Sequence, residues 1–177
     1  MGFCLLNQMG WIETRVVYIP FNYDFLSNDD NVTGAMYSPN IKIIMRDRLA
    51  DELRNQWNEH LDSEYAACIK GDFSHETDVD DWTKGNATIY LDKIESLHEG
   101  ESNFVSIGKC NEMALIHNHP NGPCRDRIWM GDTEAAKWHF KNGVSLFLIQ
   151  CSQDQIEIYT RDNMYNGRLV LLSQMEG

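Results

Sequence analysis

The sequence predicts a single domain of mixed α/β (α+β) structure, in which one β-sheet is flanked by helices. The chain has 177 residues, of which 42% are hydrophobic. This length suffices for one domain with a sizeable core and is short for two. Short apolar runs typical of buried strands alternate with longer segments whose apolar residues recur every three or four positions, as in amphipathic helices.

The N-terminal part, residues 1–39, is predicted to be an extension of the main domain, which occupies residues 40–177. Apolar and polar side chains alternate over residues 11–19, which favours a strand. The extension is too short to build a core of its own. We therefore expect it to add a strand or a hairpin to the main domain.

The next element is predicted to be a helix over residues 41–60. Ser38 and Pro39 suit the N-cap and the first helical position. The apolar residues that follow lie four positions apart and would form one stripe on a helix; they are Ile41, Met45, Leu49, Leu53 and Trp57. Such a stripe indicates packing against the core.

Two neighbouring strands are predicted over residues 64–73 and 87–94. The segment between them, residues 72–84, carries five acidic residues and indicates a solvated loop. Residues 96–109 form a second polar stretch, close in sequence to the next strand.

The most informative feature is the pair His117 and His119, which ends an apolar run over residues 113–116. This run predicts a buried strand, and Pro120 with the following Asn-Gly predicts that the strand stops there. Side chains on a strand alternate faces, so both histidines should project from one face, roughly 6.6 Å apart at the backbone. That separation suits two imidazoles converging on one metal ion.

A candidate third ligand is Asp132, at the start of a predicted helix that continues over residues 133–140. Carboxylates are favoured at helix starts. Two histidines and one aspartate leave a coordination position for water, as in catalytic zinc sites. Asp126 is the competing ligand.

The rest of the chain is predicted to complete the sheet. Residues 144–151 and 155–160 indicate a hairpin, with residues 146–149 as its most buried part. Residues 168–172 form a further strand or a short helix.

The segment around these residues resembles the JAB/MPN (JAMM) metalloprotease family, and its His-Asn-His-Pro-x-Gly form is similar to bacterial and phage RadC-like members. The family motif is an upstream Glu, then His-x-His, then Ser-x-x-Asp. Glu64 and Gly71 fall where the family has its catalytic Glu and a final Gly, and Ala67 replaces another Gly. The resemblance covers roughly residues 38–165 and implies a JAB/MPN-like (cytidine-deaminase-like) mixed sheet flanked by helices.

Two positions depart from the family pattern. Twelve residues, 120–131, separate His119 from Asp132, which is longer than the family spacing. Trp129 occupies the position of the family Ser, which helps to position the Glu and to stabilise the developing oxyanion. Loss of that Ser would lower the rate without abolishing metal binding.

The resemblance implies a zinc metallopeptidase that cleaves an amide or isopeptide bond in a protein or peptide substrate, including a ubiquitin-like one. His117, His119 and Asp132 would hold Zn²⁺, and Glu64 would be the catalytic acid and base. Zinc lowers the pKa of its bound water from 15.7 to about 7. Glu64 would accept the proton and deliver it to the leaving amine.

Two other functions are also compatible with the sequence. A catalytically silent JAB/MPN-like module that binds a partner would explain Trp129 and the longer loop. A nuclease using a His-Asn-His motif is disfavoured by the formal charge of −12, from 27 acidic and 15 basic residues, because phosphate binding needs a basic surface. No nucleic-acid partner is therefore expected.

The five cysteines are odd in number, scattered and without a Cys-x-x-Cys pair. This pattern predicts free thiols in a reducing compartment rather than a disulfide framework. Cys124, near the expected metal loop, fits an ordinary loop residue better than a ligand. The N-terminus lacks a signal-peptide pattern, and no apolar run is long enough to cross a membrane. We therefore expect a soluble cytoplasmic protein.

Overall fold

The computed structural model describes residues 17–20, 40–76, 86–122, 130–161 and 167–175. Within these residues, eight strands form one mixed sheet, accompanied by two helices and a short third one. The elements in chain order are β1 (Val17–Pro20), β2 (Asn40–Met45), α1 (Asp47–Glu59), β3 (Tyr65–Glu76), β4 (Asn86–Glu99), β5 (Ala114–Asn118), α2 (Met130–Lys141), β6 (Leu146–Ser152), β7 (Gln155–Tyr159), β8 (Arg168–Leu171) and α3 (Leu172–Met175). The mixed α and β class predicted from the sequence is therefore observed.

The strands are ordered β1-β2-β4-β3-β5-β6-β7-β8 across the sheet. The pairs β2–β4 and β5–β6 are parallel, and the other neighbours are antiparallel. Parallel neighbours need a crossover connection, and α2 supplies it between β5 and β6. The helix α2 runs back across one face of the sheet to reach the start of β6, so its first turn lies near the end of β5.

The central pairing of β3 with β5 positions the predicted site residues. In this antiparallel pair Ala66 lies opposite His117. The beginning of β3, which follows Glu64, is therefore beside the end of β5. Residues separated by 53 positions in the chain come to the same edge of the sheet.

The sheet buries both faces, one against α1 and the other against α2. Alternate residues of β3, β5 and β6 contribute to two separate apolar clusters. The α1 face contains Leu49, Leu53, Ala67, Ile69, Ala114, Ile116, Leu146 and Leu148. The α2 face contains Cys68, Leu115, Ala136, Phe140, Phe147 and Ile149. By the same alternation His117 belongs to the α2 face and Asn118 to the α1 face.

The predicted helix over residues 41–60 is wrong in its first part. Residues 40–45 form β2, which pairs in parallel with β4, and the helix begins only at Asp47. The backbone N–H of Arg46 donates to the Leu91 carbonyl at 3.0 Å, which marks the change from strand to helix. Three isoleucines at 41, 43 and 44 favour a strand, but the decisive pairing partner lies more than 40 residues away and leaves no local signal.

The boundaries of several predicted elements also change. β3 continues to Glu76, so the first part of the predicted acidic loop over residues 72–84 is a strand, and residues 77–85 lie outside the described part. β4 continues to Glu99 and takes the first residues of the predicted polar stretch over 96–109. The strand predicted over 11–19 is described only from Val17, as an edge strand paired with β2. The C-terminal segment forms both a strand, β8, and a short helix, α3.

Gly71 lies at an irregularity of the β3–β4 pair. The register shifts between Lys70 and Gly71, and a Cβ atom at Gly71 would collide with the Tyr90 carbonyl. The missing side chain is thus required by the close approach of the two backbones.

The expectation of free thiols is wrong for the three cysteines of the described residues, Cys68, Cys110 and Cys151, which are all disulfide-bonded. Cys68 in β3 and Cys110, just before β5, form a disulfide with their Cα atoms 5.7 Å apart. Both are buried. The β3–β5 pairing creates this proximity across 42 residues of sequence, which the cysteine spacing alone does not indicate.

None of the helices in the described part of the chain is long and apolar enough to span a membrane.

Candidate metal centre

Three potential ligands, His117, His119 and Asp132, converge on the α2 face at the end of β5. His117 is in β5, His119 follows the strand directly, and Asp132 is in the first turn of α2. The two Nε2 atoms are 2.9 Å apart. Asp132 Oδ1 lies 3.3 Å from His117 Nε2, and Asp132 Oδ2 lies 3.3 Å from His119 Nε2.

The alternation of side-chain faces continues one residue beyond β5, because β6 forms a backbone hydrogen bond with His119. The backbone N–H of His119 donates to the Gln150 carbonyl at 2.8 Å, which extends the pairing between β5 and β6. His119 therefore keeps the orientation expected of a strand residue, and its side chain joins that of His117. The turn closes when Gly122 N–H donates to the His119 carbonyl at 3.2 Å.

The three side chains fit a metal ion. Ligand atoms that lie about 2.0–2.1 Å from a tetrahedral zinc are roughly 3.3 Å from one another. The two Nε2 atoms are 2.9 Å apart, and each has a different oxygen of Asp132 at 3.3 Å. One ligand atom from each residue can be chosen so that all three lie within 4.8 Å of one another. Oδ2 of Asp132 is buried, and His119 Nε2 lies 3.3 Å from it. Two imidazole nitrogens and a carboxylate oxygen around one point form a donor set that suits zinc and similar divalent metals. The His-His-Asp group can therefore hold a metal ion.

The electrostatics of Asp132 favour its charged form. Burial raises the pKa of this carboxyl, but hydrogen bonds and charge interactions with His117 and His119 outweigh burial and leave the pKa well below its ordinary value. Asp132 is therefore a carboxylate over the whole physiological pH range and is ready to bind a cation.

Glu64 lies immediately before β3 and lines the same cavity as the three candidate ligands. Its backbone is fixed, since Glu64 N–H donates to the Glu101 carbonyl at 2.7 Å and the Glu64 carbonyl accepts from Gly100 at 2.8 Å. Burial raises the pKa of the Glu64 side chain; His117 and His119 oppose this shift, and Asp132 adds to it. A carboxyl with a raised pKa can both accept and release a proton during a reaction cycle.

The cavity has a volume of about 470 Å³ and is open to solvent. Glu64, His117, His119 and Asp132 form its polar end, and apolar side chains form much of the remaining lining. Sites for small molecules and substrate side chains are commonly concave and mostly apolar, with a few polar groups. The cavity thus provides room for a ligand beside the candidate metal centre.

Asn118, between the two histidines, was not singled out from the sequence. It is fully buried and points to the α1 face, where Oδ1 accepts from the Tyr65 N–H at 2.5 Å. Its Nδ2 donates to the carbonyls of His60 and Ser63, each at 3.2 Å. The Asn118 side chain therefore connects two parts of the site by hydrogen bonds: the segment before β3, which includes Glu64, and β5, which carries His117.

Replacing Asn118 with leucine should destabilise the protein by about 3 kcal/mol or more, because it leaves a buried N–H, a buried carbonyl and a partly buried carbonyl without their partner. Urea unfolding measures this loss. The matched control is Asn55→Leu, at an exposed position of α1, which should change the unfolding free energy little. Equal midpoints for the two variants would show that the Asn118 hydrogen bonds contribute nothing.

His139 is a second residue that the sequence did not reveal. It lies in α2, two turns after Asp132, and is only 3% exposed. Its side chain lines the cavity, and its Nδ1 has no hydrogen-bond partner among the described residues. Burial, with a smaller effect of charge on His117, lowers the pKa of His139 to about 4. His139 is therefore a neutral imidazole at pH 7.

The metal-free protein should lose stability as the pH falls from about 6.5 to 4, since the unfolded chain protonates His139 in this range and the native protein does not. A pKa displaced from 6.5 to about 4 corresponds to a contribution of about 3 kcal/mol. We expect His139→Leu to remove that part of the pH dependence. Urea unfolding of both proteins at pH 7, 5.5 and 4.5, with chelator present, makes the comparison, and parallel pH profiles would contradict the assignment.

Three residues that the sequence marks as candidates lie outside the described part of the chain: Cys124, Asp126 and Trp129. Of the sequence-predicted site residues that are described, Glu64, His117, His119 and Asp132 all border one cavity.

No protein-family model and no curated protein sequence matches this chain. The functional argument therefore depends on the residues and their geometry.

Proposed function

We propose that the chain is a zinc metallopeptidase of the JAMM type with a JAB/MPN-like fold. The observation that carries this proposal is the convergence of His117, His119 and Asp132 at one end of a cavity that Glu64 also lines. The sequence resemblance assigns the same four residues to the family motif. The mixed sheet with helices on both faces is compatible with such a fold.

In the proposed reaction each residue has a distinct task. The two histidines and Asp132 would hold the ion, which when bound polarises a carbonyl and makes water acidic enough to lose a proton near neutral pH. Glu64 takes the proton from the attacking water and gives it to the leaving amine, so that the C–N bond breaks to a carboxylate and an amine. The raised pKa of Glu64 supports both transfers.

We propose a protein or peptide as the substrate, including ubiquitin-like proteins. The formal charge of −12 favours a partner surface that is neutral or basic, since a strongly acidic one would be repelled. The chemistry described above applies equally to a peptide and to an isopeptide bond.

The third ligand can be tested with a pair of isosteric variants. We expect Asp132→Asn to lose most of the zinc affinity, because the neutral amide is a weaker ligand than a carboxylate, and Asp126→Asn to bind zinc as the wild type does. Competition titration with a chromogenic chelator measures both affinities. The reverse order would assign the ligand role to the loop over residues 123–129.

The enzymatic proposal is tested by hydrolysis of a panel of peptides and isopeptide-linked proteins by the zinc-loaded protein. Cleavage that requires both zinc and Glu64 is the expected result. Full zinc occupancy with no cleavage of any substrate, combined with binding of one of them, would favour the silent partner-binding module.

A further inference from the structure

The cavity beside the candidate metal centre has a markedly uneven distribution of polarity. In the described lining, the charged side chains are Glu64 and Asp132, and both lie at the metal end. Apolar lining comes from Phe104, Val105, Ile107, Leu115 and Phe147, and Phe147 packs against His117 with the ring centroids 5.3 Å apart. Asn103 and Asn121 are polar but uncharged lining residues. An ionised ligand group placed against the apolar side chains would find no oppositely charged partner there and would lose its hydration.

His139 is the one imidazole of the described lining outside the candidate ligand set. Its ring packs near Phe147, with the ring centroids 6.5 Å apart, and only 3% of the residue is exposed. Its Nδ1 is buried, so a ligand in the cavity does not meet this atom. The wall around Phe147 therefore presents mainly apolar surface to a ligand.

Phe104, at the rim of the cavity, is connected to Glu64 by backbone hydrogen bonds. Phe104 is 63% exposed, an unusual position for a large aromatic side chain. Its carbonyl accepts from Glu101 N–H at 2.8 Å, and the Glu101 carbonyl accepts from Glu64 N–H at 2.7 Å. Two successive backbone hydrogen bonds therefore connect residue 104 to Glu64, and the side chain of Phe104 lines the same cavity as the proposed acid/base residue.

We propose that this cavity binds a large, uncharged, apolar side chain of the substrate directly beside the bond that is cleaved. Phe104 covers that side chain from the rim, and Leu115 and Phe147 contact it from the sheet. This inference rests on the proposed function, since it assigns the substrate class of the same site.

A first experiment tests the cavity without metal or catalysis. The metal-free protein, labelled at alanine methyl groups, is titrated with N-acetyl-L-phenylalaninamide and, separately, with N-acetyl-L-aspartate amide. The Ala135 methyl group, at an exposed position of α2 that lines the cavity, should shift with the first probe and stay unchanged with the second. No shift with the phenylalanine probe, or equal shifts with both, would overturn the proposal.

A second experiment uses the zinc-loaded protein and two inhibitors that share one metal-binding group. Phenylalanine hydroxamate should bind at least about tenfold more tightly than acetohydroxamate, because burial of a side chain of this size favours binding by that much or more. Ala135→Trp, which fills the cavity, should abolish the difference. Lys141→Trp, at an exposed position of the same helix outside the lining, should preserve it.

The outcomes separate the two proposals. Equal affinities for both hydroxamates, or a preference that survives in Ala135→Trp, would overturn the cavity assignment even if the protein is a zinc peptidase. Failure to bind zinc or acetohydroxamate, together with a clear Ala135 shift in the first experiment, would overturn the proposed function and leave the apolar ligand site established.

Discussion

Replacing Glu64 with glutamine is expected to reduce turnover by about 10²- to 10⁴-fold, the range that general acid–base assistance supplies. We expect the upper part of this range because Glu64 would serve in two proton transfers. The amide has the same shape as the carboxyl group but cannot accept a proton from water. Zinc affinity and the free energy of unfolding should remain those of the wild type, since Glu64 is not a proposed ligand and its backbone contacts are preserved.

The measurement compares initial rates of wild type and Glu64→Gln on the same substrate at matched zinc occupancy. Glu59→Gln, an exposed position at the end of α1, is the matched control and should be fully active. In the wild type, activity should rise with pH as the water–Glu64 pair loses a proton, an event that belongs to the pair and not to one group. Near-normal turnover of Glu64→Gln would mean that Glu64 has only a structural role.

Replacing His117 with alanine is expected to abolish zinc binding under conditions in which the wild type is saturated. Loss of an outer partner of a metal ligand already costs about 10- to 100-fold in affinity, and loss of one of three direct ligands should cost more. The fold should persist, since the larger apolar cluster on the α1 face does not include His117.

Metal analysis after dialysis, followed by competition titration, measures this effect. His98→Ala, in β4 and outside the cavity lining, is the control and should retain one zinc ion per chain. Stoichiometric zinc in a variant lacking both His117 and His119 would disprove the site assignment.

The parts of the site that could be predicted from the sequence are those that depend on local periodicity. The apolar run ending in His117, the turn at Pro120 and the helix beginning near Asp132 are all visible within a few residues. Strand alternation then predicts that His117 and His119 share a face, and their Nε2 atoms are indeed 2.9 Å apart. The proximity of Glu64 was inferred only through the family resemblance, and its physical cause is the antiparallel pairing of β3 with β5.

The helix prediction failed for the residues of β2, whose local sequence is compatible with both a helix and a strand. The apolar residues Ile41 and Met45 fit a helical stripe, yet residues 40–45 form a strand because β4 offers a partner. The strand gains paired backbone groups and buries Ile43, and this outweighs the local helical pattern. Such a choice depends on chain segments far away in sequence.

The sequence by itself determined the class of fold, the strand that carries both histidines and the chemical identity of the candidate ligands. Only the tertiary structure decided which side chains surround them. The Cys68–Cys110 disulfide, the Asn118 hydrogen bonds and the buried His139 all arise from contacts between separate elements. The physical reason is that periodicity records which face of an element is apolar, whereas strand order and register, which bring distant residues into contact, are chosen by the packing of the whole chain.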